Sequence, residues 1–279
     1  MVYIVIPVFN RWHFTKACLE KLDNQTFTEF KTIIVDDGSS DETSEQLKKN
    51  YSKVITLKGD GSLWWTGSIN LGISYALDKG ATAIVTLNND TLPAPTFMEE
   101  LLKASKLKSN ALIGATGIDV NTKEINFCGE RVQWITDTAQ KLKKTLKKEE
   151  QKGLHKVSYF PGRGLWIPKK VFDTIGLFDK ATFPHYMADY DFTLRARKAG
   201  FNIFCSLESR LATYPEASGA NQLLAQKSWK NYKEHLFGIK GAANLKYYFI
   251  YVYRHCPWYL LPISVSIGTL KRLTNYWRN

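Results

Sequence analysis

Acidic and amide side chains gather at three points of this chain, each where a periodic apolar pattern meets a turn. Asp36-Asp37-Gly38-Ser39-Ser40-Asp41-Glu42 follows Ile33-Ile34-Val35, and a carboxylate placed there can accept hydrogen bonds from a base or a ribose. The same residues fit an Asp-Gly turn with a Ser39/Glu42 capping box, so local folding explains them equally well. Asn88-Asn89-Asp90-Thr91 follows Ala83 to Leu87 and sets oxygens where a diphosphate could lie. Mg²⁺ or Mn²⁺ is typically held by one or two carboxylates plus substrate phosphates, so Asp90 alone suffices in principle; an ordinary Asn-Asp turn is the competing reading. Ala188-Asp189-Tyr190-Asp191-Phe192 opens a helical pattern that closes at Gly200. Two carboxylates two residues apart diverge around a helix turn, which suits the positive helix end better than a glycosidase pair flanking one bond.

A glycine-rich stretch, Gly59-Asp-Gly-Ser-Leu-Trp-Trp-Thr-Gly67, fails the dinucleotide fingerprint because Trp64 stands where the third glycine belongs. No P-loop pattern occurs either, so an NAD site or a P-loop is excluded as the reading. What remains is a loop of small residues followed by Gly67-Ser68-Ile69-Asn70, where the start of a helix would offer N–H groups to phosphate.

These residues need elements to hold them. Strand patterns at Val2–Ile6, Thr32–Val35, Val54–Leu57, Ala83–Leu87 and Leu112–Ala115 alternate with helical patterns near 13–23, 41–49, 68–79 and 95–107. This order predicts an α/β fold: a Rossmann-like, mostly parallel central sheet with helices on both faces. The polar loops beginning at Pro7, Asp36, Lys58 and Asn88 then share the carboxyl edge of the sheet, where such folds bind ligands. The pattern loosens between 120 and 215, and the end of the chain becomes aromatic and basic. The expected organisation is a ligand-binding half over 1–120, a second half over 121–225, and an extension over 226–279.

The net charge of +12 is uneven: from Asn221 onward nine Lys/Arg face the single acid Glu234, a local charge of +8. That asymmetry points to an anionic partner, and without zinc spacing or a basic helix-turn-helix the expectation is a membrane surface and not a nucleic acid. The run Lys141 to Lys156 is read as a solvated helix face. Cys256 to Leu270, the most apolar piece, has 15 residues and two prolines, too short for a membrane span. No basic leader precedes Val2–Ile6, so the expected location is cytoplasmic, peripheral at the inner face of the cell membrane. Cys18, Cys128, Cys205 and Cys256 form no C-x-x-C pair and are read as reduced structural residues.

In order along the chain, Ile-Val-Ile-Pro7-Val-Phe-Asn10, Ile-Ile-Val-Asp-Asp37-Gly-Ser-Ser-Asp41, Gly-Ser68-Ile-Asn70-Leu-Gly72, Thr-Leu-Asn88-Asn-Asp90, Gly-Leu-Phe-Asp179 and His185-Tyr186-Met-Ala-Asp189-Tyr-Asp-Phe192 resemble the motifs of a family 2 glycosyltransferase of GT-A type. The resemblance implies an inverting enzyme that moves a hexosyl or deoxyhexosyl unit from a UDP-, dTDP- or GDP-linked donor to a glycan or lipid-linked hydroxyl, in cell-surface polysaccharide or glycolipid synthesis. It implies donor contacts from Pro7, Asp37, Ser68, Asn70, Asn88 and Asp90, a divalent metal (Mg or Mn) at Asp90, and Asp189 as general base. Arg163, Gly164, His185 and Tyr186 are placed on the acceptor side. Three departures stand out: Asn88 replaces the first D-x-D acid, Ala188 replaces the E of the E-D motif, and Leu211 to Glu216 lacks the usual histidine. A non-catalytic sugar-nucleotide binder and a nucleotidyltransferase are the alternatives.

Overall fold

Strands β1 (Val2–Val8), β2 (Phe30–Asp36) and β4 (Ala83–Thr86) are continuous apolar runs because both of their faces are covered. On β1 the side chains alternate: Ile4, Ile6 and Val8 enter one apolar cluster, Tyr3 and Val5 the other. The first cluster is roofed by α1 (Trp12–Asp23) and α4 (Phe97–Leu107). The second lies under α3 (Trp64–Asp78), α5 (Lys169–Ile175) and α6 (Ala188–Lys198). The computed structural model describes residues 1–145, 152–217 and 227–278, so part of the basic run Lys141 to Lys156 lies outside the described residues.

The remaining elements in chain order are α2 (Thr43–Asn50), β3 (Ile55–Lys58), β5 (Thr91–Pro93), β6 (Leu112–Asp119), β7 (Ile125–Phe127), β8 (Glu130–Gln133), β9 (Thr138–Lys141), β10 (Leu154–Lys156), β11 (Leu165–Pro168), β12 (Ile203–Thr213), α7 (Trp229–Phe237), α8 (Leu245–His255) and α9 (Leu261–Arg278). The main path of the sheet runs β10-β12-β6-β11-β4-β1-β2-β3. Pairings β1–β2, β2–β3, β1–β4 and β6–β12 are parallel, while β11 runs against both β4 and β6 and β10 runs against β12. Six of the eight strands on this path therefore point the same way, as the sequence predicts. Their shared carboxyl edge gathers the loops after β1, β2, β3 and β4.

Boundaries shift in two places that matter. Helix α3 begins at Trp64, four residues before the position the sequence suggests, so Ser68 and Asn70 lie inside the helix. The expected capping box at α2 is absent: the Ser39 hydroxyl accepts the Asn10 N–H (2.7 Å), and Asp41 caps instead. Asp41 takes the N–H groups of Thr43 (3.1 Å) and Trp12 (3.0 Å), fastening the starts of α2 and α1 together. Burial works against its charge, yet these bonds hold its carboxyl below the usual range.

The extension packs on residues 121–225 through α8, whose Tyr247, Tyr248, Tyr251 and Val252 join the second cluster. Three of its nine basic residues serve internally: Arg254 pairs with Asp179 (2.7 Å), Arg272 with Asp137 (2.6 Å), and Lys271 donates to the Thr136 carbonyl. Among the described residues no helix is long and apolar enough to cross a membrane. All four cysteines are free and buried, as read from their spacing.

Candidate functional site

Four loops meet at the carboxyl edge. The one after β1 holds Asn10 and Arg11 at φ 57 and 59, a conformation that costs non-glycine residues about 1–3 kcal/mol each and that clusters at functional sites. The Asn10 side-chain amide oxygen accepts the N–H of Ser40 (2.8 Å). The turn thereby aims Arg11 at Asp90, 3.6 Å away across the edge. Asp90 follows β4 with its carboxylate partly open to solvent, while the amide oxygen of Asn88 accepts the indole N–H of Trp65 (2.9 Å).

Asp37 is buried, and both of its oxygens are engaged: one takes the Gly61 N–H (2.9 Å), the other the Trp64 N–H (3.0 Å). The glycine-rich loop wraps this carboxylate; a Cβ on Gly59 would stand 2.4 Å from it. The close approach that small residues permit is thus toward Asp37 itself. Pro7 lies within β1 opposite Val35 and is half-buried, one layer behind the loop expected there.

Two expected donor contacts are placed elsewhere. The Asn70 amide is spent on the backbone of Phe178, donating to its carbonyl (2.8 Å) and accepting its N–H (3.1 Å). Ser68 is buried past the first turn of α3, where N–H groups bond within the helix. The first-turn groups are also taken: Trp64 by Asp37, Thr66 by the Pro184 carbonyl (3.1 Å), Gly67 by the Leu63 carbonyl (3.0 Å). The phosphate site expected at Ser68 to Asn70 has no free N–H to offer.

On the acceptor side, α6 starts at Ala188 behind Met187, whose φ is 72. Asp189 accepts the Gly162 N–H (3.0 Å) and the Tyr190 N–H (2.9 Å). Burial raises its carboxyl above the usual range, against those bonds and the positive charge of Arg163. Asp191 turns the other way: fully buried, it accepts from Arg195 (2.8 Å) and His255 (2.9 Å), with Arg254 at 3.3 Å. Burial opposes its charge too, but these partners hold its carboxyl below the usual range. The pair thus splits into one carboxylate facing the site and one fixing the helix.

Arg163 lies over the Phe127 ring at 5.4 Å, and His185 stacks edge-on against Tyr186 at 4.6 Å. Burial, helped by Lys240, pushes the His185 imidazole down to about 4, so it is neutral at neutral pH. Gly164, expected beside the acceptor, is a turn residue directly before β11 that is bonded to the sheet: it donates to the Thr86 carbonyl (2.8 Å), accepts the Ala115 N–H (2.9 Å), and a Cβ would meet Leu211 at 2.6 Å.

Trp65, not expected in the site, joins its halves. Its indole holds Asn88, and its ring covers Gly162, where a Cβ would come within 2.3 Å. Gly162 in turn holds Asp189, so three contacts run from the D-x-D position to the candidate base. Arg11, directly after the Asn10 that closes the first motif, was also missed.

Among the described residues no three His, Cys, Asp or Glu side chains gather as a metal cluster. One carboxylate at Asp90 fits a hard cation only if phosphate oxygens and water complete its shell, the usual condition of Mg²⁺.

A mostly parallel sheet with polar loops at one edge and an isolated acidic residue opposite defines a GT-A type fold. Solved structures agree: over 99% of this chain it superposes on the crystal structure of Staphylococcus aureus TarS with a TM-score of 0.63 at 11% identity. The chain spans 55% of that structure and 81% of a shorter TarS 1–349 structure, which it matches with a TM-score of 0.57 at 13% identity. The family model described as Glycosyl transferase family 2 matches residues 3–176, and the chain belongs to that family. Relatives include an uncharacterized glycosyltransferase of Rickettsia prowazekii, 26% identical over 88% of this chain and 76% of its own length. The UDP-N-acetylglucosamine–dolichyl-phosphate N-acetylglucosaminyltransferase of Methanococcus voltae is 26% identical over 37% of this chain and 46% of its own length. The protein is a glycosyltransferase.

Proposed function

We propose that the chain transfers a hexosyl or deoxyhexosyl unit from a UDP-, dTDP- or GDP-linked donor to a hydroxyl acceptor with inversion. The observation that carries this is the desolvated carboxylate of Asp189, linked through Gly162 and Trp65 to the donor edge. Asp189 takes the proton as the acceptor oxygen attacks the anomeric carbon; the bond to the β-phosphate oxygen breaks on the opposite face, and the nucleoside diphosphate leaves. A carboxylate destabilised by burial is a stronger base than one in water, which favours this role. On the donor side Arg11 faces the leaving diphosphate, and Asp90 with the donor's phosphates would hold Mg²⁺ or Mn²⁺, which neutralises the growing charge. Asn88 contributes by fixing Trp65. Residues 1–120 hold the donor and 121–225 present the acceptor.

The extension over 226–279 is read as lying against an anionic membrane at the inner face of the cell membrane, which brings a lipid-linked acceptor of surface-glycan synthesis within reach. Its support is the run of exposed aromatics on α8 and beyond: Phe249, Tyr253, Tyr259 and Trp258, the last 81% exposed. The name of the M. voltae relative also joins a UDP-linked sugar to a lipid phosphate.

Asp189→Asn tests the chemistry. Donor binding is retained while transfer falls about 10²- to 10⁴-fold. In the unsubstituted enzyme the acid limb of kcat/KM lies above the ordinary carboxylate value of about 3.9, because Asp189 must be ionised to act. Near-normal turnover of the variant with saturating substrates overturns the assignment.

A further inference from the structure

Two cations, one near Asp189 and one near His185, have no carboxylate partner inside hydrogen-bonding reach. The Arg163 guanidinium rests on Phe127 and its charge bears on Asp189; the Lys240 ammonium sits 5.6 Å over the Trp64 ring and its charge bears on His185. Among the described residues neither forms an ion pair, although Arg254 and Arg272 of the same extension do. The strip between them is built in place. Thr66 fastens the first turn of α3 to the acceptor segment through the Phe183 carbonyl (2.6 Å) and the Pro184 carbonyl (3.1 Å). That holds Trp64, at φ 55, with its ring 6.0 Å from the His185 ring. Among the described residues the buried Nδ1 of His185 has no hydrogen-bond partner, a desolvated polar atom that a ligand would satisfy.

A neutral acceptor has no use for the positive charge of Arg163 beside a general base, since it weakens that base. An anionic acceptor makes use of it: its charge balances Arg163 and the nearby Lys240 while Asp189 gains its proton. We propose that Arg163, Lys240 and His185, with Trp64 as the platform under a sugar ring, form a subsite for a phosphate group carried by the acceptor. His185 adds a hydrogen bond without adding charge, and the two cations supply charge-assisted bonds to phosphate oxygens. The inference rests on the reading that the Asp189 side is the acceptor side. The phosphate belongs either to a lipid carrier or to a soluble phosphosugar, since the subsite chemistry is the same for both.

The test uses the full chain saturated with UDP, so that the donor site is filled, and measures binding of glucose 1-phosphate, methyl glucoside and geranyl phosphate by calorimetry. Glucose 1-phosphate or geranyl phosphate binds at least about tenfold more tightly than methyl glucoside, and Lys240→Gln removes about tenfold, or about 1.4 kcal/mol. Arg163→Gln does the same; Lys240 is exposed, so its variant keeps the test valid should Arg163→Gln unfold. The tighter of the two phosphates names the source. Equal binding of the charged and neutral probes overturns the proposal, and so does a Lys240→Gln effect confined to UDP affinity. Either failure leaves the transfer mechanism standing if Asp189→Asn still abolishes turnover, so the two readings fall separately.

Discussion

Asp90 and Asp189 show how far a single residue can be read. Asp90 is the one carboxylate at the D-x-D position, so a metal-assisted donor site depends on it alone. Asp90→Ala is expected to weaken metal-dependent donor binding at least tenfold and to abolish the response to EDTA, with an unchanged thermal midpoint; titration of UDP with and without Mn²⁺ checks this. A variant with ordinary UDP affinity and ordinary EDTA sensitivity would place the metal elsewhere. The places of both aspartates were legible, Asp90 because it follows a strand pattern and Asp189 because it opens a helical one, while their roles rest on the resemblance. The contacts of Asn70 and Gly164 were not legible, because their partners are remote: Phe178 lies 108 residues from Asn70, and Leu211 presses on Gly164 from β12. A motif says where a residue falls on its element, not what the rest of the chain brings to meet it. Arg11 escaped for a related reason, since a lone arginine after a turn carries no local sign of an ion pair formed across the edge.

Among the elements, α6 carries the most consequence, because its first turn holds two carboxylates of opposite fate. Asp191 keeps its charge through Arg195, Arg254 and His255, and its lowered native value means that it stabilises the fold above the ordinary carboxylate range. That contribution fades as pH falls through the native value. Asp191→Asn takes from Arg195 its carboxylate partner and is expected to cost about 3–5 kcal/mol at pH 7. Denaturant titration measures the loss, and the gap to the unsubstituted protein narrows on acidification; a gap that stays constant from pH 7 to pH 3 rejects the charge argument. Asp189 has the reverse sign: its raised value makes its charged form a burden on the fold, so Asp189→Asn escapes this penalty. The parallel strands were legible because doubly covered strands are apolar throughout. The start of α3 was not, since Trp64 enters the helix with its N–H held by Asp37, 27 residues earlier. The reversal at β11 was equally hidden, for Leu-Trp-Ile-Pro168 reads the same in either direction.

Taken whole, the molecule is basic at one end, but five of the nine basic residues counted from Asn221 remain for a surface partner once Arg254, Lys271 and Arg272 are spent internally and Lys240 is set over Trp64. Each near an anionic surface contributes roughly 1 kcal/mol, enough for salt-sensitive binding. Flotation with phosphatidylglycerol vesicles at low salt is expected to carry the protein upward, and joint replacement of Trp258 and Tyr259 by serine to reduce the bound fraction several-fold. Protein that stays at the bottom of the gradient sinks the membrane reading. The grip of α8 on α6 also sets an order of events during synthesis. Asp191 lies 64 residues ahead of His255, so at about 5–20 residues per second the ribosome needs roughly 3–13 s to deliver the histidine after the aspartate. Throughout that interval Asp191 has Arg195, made on its own helix, but neither Arg254 nor His255. A chain stalled before Arg254 would therefore carry every sugar-transfer motif and still lack two of the three groups that hold Asp191 in place.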